Sequence, residues 1–70
     1  MATLLLRIEG LEPDRAPALE RTLRAMPGVF GVVISAPEGC AELDIEDDEI
    51  SVDRIVARLE REGLKATLSG

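Results

Sequence analysis

The spacing of hydrophobic residues switches twice along this chain between a period of two and a period of about 3.6, and no other feature limits the fold as strongly. In residues 3–9, Leu4, Leu6 and Ile8 fall on one face and Leu5, Arg7 and Glu9 on the other, the alternation of a half-buried strand. Gly10 ends it. Residues 11–14 read as a loop in which Asp14 is placed to cap a helix that tolerates Pro17 in its first turn. Ala16, Leu19, Leu23 and Met26 then recur at helical spacing, with Arg15, Glu20, Arg21 and Arg24 outside, until Pro27-Gly28 stops the helix.

The second half repeats the sequence of periods. Residues 29–36 read as a strand with Val32, Ile34 and Ala36 inward, and residues 37–39 as a turn. In residues 40–46, Ala41, Leu43 and Ile45 alternate with the outward Cys40, Glu42, Asp44 and Glu46. Ser51 is a good helix cap, flanked by Ile50 and Ile55 at the spacing of a hydrophobic staple. Val52, Ile55, Val56 and Leu59 make the apolar stripe, Gly63 ends the helix, and residues 64–68 form a short closing strand. The order βαββαβ, built as two interleaved split βαβ units, predicts an α+β fold, the ferredoxin-like sandwich. Right-handed crossovers give an antiparallel sheet in the order 4-1-3-2 with both helices on one face. At 70 residues the chain makes one domain, residues 1–70, with a core near the lower size limit.

Composition removes most functional classes. The chain has no His, Trp, Tyr, Asn or Gln, one Phe and one Cys. No imidazole base, Cys–His pair or side-chain amide for an oxyanion hole can be assembled, so no enzyme is expected. A net charge of −6 and the near absence of aromatics argue against a nucleic-acid partner. The run Leu4-Leu5-Leu6 is far too short for a signal peptide or a membrane span, so a cytoplasmic protein without a membrane partner is expected.

Four stretches carry a family likeness. They are Glu9-Gly10-Leu11, Met26-Pro27-Gly28-Val29, Gly39-Cys40-Ala41-Glu42-Leu43, and Ile50-Ser51 with Ile55 followed by Glu60-Arg61-Glu62-Gly63-Leu64-Lys65-Ala66. Together they resemble the heavy-metal-associated domains of copper chaperones and metal-pumping ATPases, over essentially the whole chain. The resemblance implies the same ferredoxin-like fold. It also implies a metal loop, Gly-Met-x-Cys-x-x-Cys, that falls on residues 10–16. There Pro13 and Ala16 stand at the two cysteine positions, Leu11 at the methionine, and Leu64 where bacterial members carry a tyrosine. Cu(I) needs soft thiolate or thioether donors, and neither a proline ring nor a methyl group is one. No cofactor is therefore expected, and the metallochaperone-like domain reads as one with a degenerate metal site.

The leading expectation is a non-catalytic interaction module that binds a protein, or a second copy of itself, through strand two and the open sheet face. Strand two lies on an edge and carries no charge. Phe30 and Val33 point to the open face or rim, where Leu5 and Cys40 join them to suggest an apolar patch, and Val32 and Ile34 lie on the same edge. Arg54, Arg58 and Arg61 on helix two suit electrostatic steering of a partner, against the simpler reading of ordinary surface pairs such as Arg58–Glu62 and Glu20–Arg24. The alternative is a metal-handling protein with an atypical site: Cys40 thiolates shared across a dimer, the carboxylates Glu12 and Asp14, or the acidic residues 44–49. Against these, Asp14 and Glu12 equally suit a helix N-terminus, the acidic run lacks the ligand pattern of a calcium loop, and a lone Cys is commonly a small buried hydrophobe.

Overall fold

The computed structural model describes residues 2–69. In chain order these form β1 (Ala2–Glu9), a 3₁₀ turn (Pro13–Arg15), α1 (Ala16–Arg24), β2 (Val29–Ser35), β3 (Cys40–Ile45), α2 (Val52–Arg61) and β4 (Lys65–Leu68). The sheet runs β2-β3-β1-β4 with every neighbouring pair antiparallel, the expected order viewed from the opposite edge. One face is covered. Leu6 and Ile8 of β1, Ala41, Leu43 and Ile45 of β3 and Ala66 of β4 are buried while their alternates are exposed or half-exposed, and Leu19, Leu23, Ile55 and Leu59 of the helices meet them. Among the described residues this core contains no polar or charged side chain. Burial of each large aliphatic contributes about 1.5–3 kcal/mol, the main force available to so small a domain.

The start of α2 follows its sequence signals. Ser51 Oγ accepts the Arg54 N–H at 3.3 Å, and Ile50 and Ile55 on either side are buried. The start of α1 does not. Asp14 is no cap: it lies inside the 3₁₀ turn, and Glu12, extended at φ −101° and ψ 143°, takes the capping position without a side-chain hydrogen bond. Pro13 accounts for the difference. Its ring fixes φ near the helical value and needs no N–H partner, so the turn begins there and carries Asp14 into it.

Strand two also departs from simple alternation. It ends at Ser35, with Ala36 in the turn, and a bulge separates Val29, opposite Ile45, from Gly31, opposite Asp44. Phe30 is the extra residue. The bulge resets the phase so that Val29 and Val32 are both buried, which strict alternation forbids for residues three apart. A Cβ at Gly31 would sit 3.1 Å from Asp44 Oδ2, the far end of an exposed side chain that would have to give by a few tenths of an ångström.

Candidate functional site

The loop between β1 and α1 opens on Gly10, whose φ of +85° is left-handed backbone. Leu64, itself buried, packs beside it, with its Cδ2 placed 3.8 Å from where a Gly10 Cβ would stand. Leu11 packs partly against the core, Glu12, Pro13, Asp14 and Arg15 are exposed, and Ala16 is half-buried at the first position of α1. Arg15 then reaches across the loop. Its Nη2 donates to the Glu62 carbonyl at 3.0 Å, satisfying one of the orphan acceptors at the end of α2. Sequence pattern gives no signal for this contact, because the partners lie 47 residues apart.

These groups do not fit a soft metal. The two positions that would face the ion present hydrocarbon and offer no soft donor. Glu12 and Asp14 are both exposed, and no cluster of three or more His, Cys, Asp or Glu suited to a metal exists among the described residues, the acidic residues 44–49 included. Cys40 is free and half-buried. In the sheet register it lies between Arg7 of β1 and Ser35 of β2, on the face away from the helices.

The open sheet face is less apolar than the sequence suggests. Leu5, Phe30 and Val33 are exposed, at 47%, 59% and 67%. The register places Leu5, Glu42 and Val33 in one row across three strands, so a carboxylate divides the expected patch. With strands just under 5 Å apart, Leu5 and Val33 are separated by about 10 Å. Val32 is only 2% exposed and Ile34 packs partly on the core, so their side chains are not available to a partner; only their backbone lies on the edge. That edge is itself guarded. The bulge interrupts it, and Arg24 Nη2 of α1 lies 3.4 Å from the Val32 carbonyl oxygen, bringing a charge to a strand that has none of its own.

The three arginines of α2 face α1 across a groove on the outer side of the helices, with Arg58 Nη2 3.9 Å from Glu62 Oε2. The matching pair on α1, Arg24 and Glu20, lies at 3.6 Å.

Neither a protein-family model nor a curated protein matches the sequence. Solved structures match it throughout. NmerA, the N-terminal HMA domain of Tn501 mercuric reductase, is 32% identical, with 96% of this chain and 97% of that one aligned and a TM-score of 0.82. A copper-binding domain from HMA7, a P-type ATPase, is 17% identical over 100% of this chain and 96% of its own, with a TM-score of 0.92. A chain of the Atx1–Cu(I)–Ccc2a complex is 20% identical, covering 97% of this chain and 94% of its own, with a TM-score of 0.85.

Proposed function

The chain belongs to the heavy-metal-associated domain family, and from that premise we propose that it is a non-catalytic member whose thiolate site has been replaced and which works by binding a protein, a second copy of itself included. The observation that carries the proposal is the loop at residues 10–16. Pro13 and Ala16 offer no donor where the family motif has cysteines, and Arg15 ties the loop to the end of α2. The Atx1–Cu(I)–Ccc2a complex shows this fold engaging a partner protein, and supports interaction as a role for it here. For the contact surface we favour Phe30, Val33 and Leu5. Phe30, the one aromatic residue of the chain, is more than half exposed at the bulge. The guarded edge favours stacking on the open face over strand addition. No helix among the described residues is long and apolar enough to cross a membrane, and a cytoplasmic site of action is part of the proposal.

Two measurements test it. In a Cu(I) titration against a chromophoric chelator, wild type and Cys40→Ser are both expected to leave the metal with the chelator. Tight capture by monomers of both would overturn the vacant-loop reading, and capture lost only in Cys40→Ser would favour the shared thiolate. Sedimentation at high concentration is expected to show association that Val33→Lys weakens. A strict monomer would remove self-association and confine the proposal to a foreign partner.

A further inference from the structure

Three of the eight basic residues of this chain, and none of its fourteen acidic ones, line the groove between α1 and α2. Its volume is about 430 Å³. Arg54, Arg58 and Arg61 form one wall; Ala25, Met26, Pro27 and Ala57 supply apolar surface, and Thr22 adds a hydroxyl. The arginines stand at i, i+4 and i+7, one helix face, so the guanidinium stems are spread along roughly 10 Å of groove.

The chain's own carboxylates leave this charge largely unpaired. Arg54 and Arg61 form no ion pair among the described residues, and Arg58 has one long contact, to Glu62 at 3.9 Å. Arg58 Nε is fully buried and has no hydrogen-bond partner. The Arg58 side chain as a whole is 39% exposed, so its terminal guanidinium nitrogens, and not the buried Nε, are what an anion seated in the groove can reach. In a chain of net charge −6, so concentrated a positive surface calls for an anion from outside.

We propose that this groove binds a small organic anion, carrying a phosphate or several carboxylates at one end and an apolar group at the other. The guanidiniums of Arg54, Arg58 and Arg61 hold the charged end with fork-like hydrogen bonds, and the apolar group lies on Ala25, Met26 and Pro27. The volume falls within the range of small-ligand sites. A net charge of −6 disfavours an extended polyanion such as nucleic acid as the occupant, because most of its length would lie outside the basic groove. The groove shares no residue with the loop at residues 10–16.

Because the chain lacks Trp and Tyr, backbone-amide NMR of the whole protein is the suitable readout. The probes are phenyl phosphate and inorganic phosphate. Shifts are expected at Thr22, Ala25, Met26 and residues 54–61, saturating with each probe, with phenyl phosphate about tenfold the tighter. Arg54→Gln with Arg61→Gln, both at exposed positions, is expected to weaken phenyl phosphate about tenfold, while Arg21→Gln outside the groove changes nothing. Shifts spread over Arg7, Arg21 and Lys65 alike, absence of saturation, or an unaffected double variant would overturn the site. Equal affinity for the two probes would overturn the apolar half of it.

Discussion

Replacing Pro13 and Ala16 by cysteine, in a chain that also carries Cys40→Ser, should convert this domain into one that Cu(I) stabilises. Pro13 is exposed and Ala16 half-buried, and neither belongs to the buried core, so no cavity or overpacking is created. Loss of the proline's rigidity costs about 0.4–1 kcal/mol. Cysteine for alanine at the start of α1 costs about 0.6 kcal/mol in helix propensity. The metal-free variant should therefore be about 1–1.5 kcal/mol less stable than its parent. Residues 13 and 16 are three apart on one continuous turn, which brings their Cβ atoms to about 5–6 Å and lets both thiolates reach one ion. The positive end of α1 favours the thiolate form. At free Cu(I) a thousandfold above the dissociation constant, binding adds about 4 kcal/mol, leaving the loaded variant about 2.5–3 kcal/mol more stable than the parent. In a domain of this size each kcal/mol moves Tm by about 4–8 °C. Thermal unfolding followed by far-UV circular dichroism, under anaerobic reducing conditions with and without Cu(I), should show Tm falling in the apo variant and rising by at least about 10 °C above the parent on loading. The parent should not respond to the metal. Equal stabilisation of both proteins would mean that ligands exist elsewhere. No stabilisation of the variant would mean that the backbone of the loop, and not merely its side chains, is unfit for the ion.

Two further substitutions test the packing. Gly28→Ala and Gly63→Ala both place a side chain on left-handed backbone, at φ +93° and +83°, which costs about 1–2 kcal/mol. At Gly28 the new Cβ would also stand 3.0 Å from Glu49 Cβ and Ile50 Cγ2, whereas Gly63 faces open space, so urea unfolding should show Gly28→Ala the worse by about 1–3 kcal/mol and not its equal. Ser51→Ala removes the acceptor for the Arg54 N–H and should lower stability by about 1 kcal/mol in the same assay, with no effect if the cap contributes nothing.

The strands and α2 were legible because each carries a marked phase. In β3 the charged Glu42 and Asp44 alternate with Ala41, Leu43 and Ile45, and Ser51 with Ile50 and Ile55 on either side announces a helix start in three residues. The bulge in β2 was not, since Val29-Phe30-Gly31-Val32-Val33-Ile34 contains no polar residue to show where the alternation slips. The beginning of α1 misled for a related reason: Asp14 and Pro13 both signal a helix start, and only the backbone reveals that proline prevails. That Pro13 and Ala16 carry no donor atom is visible in the sequence, because it is a property of residue type alone. Arg15 on the Glu62 carbonyl, Arg24 on the Val32 carbonyl and the pairing of three arginines with an uncharged wall of α1 could not be, because each joins segments that only the fold brings together.

The same distinction explains how this fold can form without thiolates at positions 13 and 16. Every fully buried side chain lies on the sheet, the helices or the segments flanking α2, and the 10–16 loop contributes to the core only through the partial packing of Leu11. Burial of those aliphatics does not require any particular side chain at positions 13 and 16, so donors can be absent there without loss of the hydrophobic term that holds the sandwich together. A loop that depended on an ion for its shape would open without one; here Pro13 begins the turn and Arg15 fastens it to α2, two local constraints that need no metal. The family's backbone over the whole chain is thus compatible with the absence of thiolate side chains at positions 13 and 16, and under the function proposed above the surfaces of the sandwich, rather than the loop, are where a partner is to be sought.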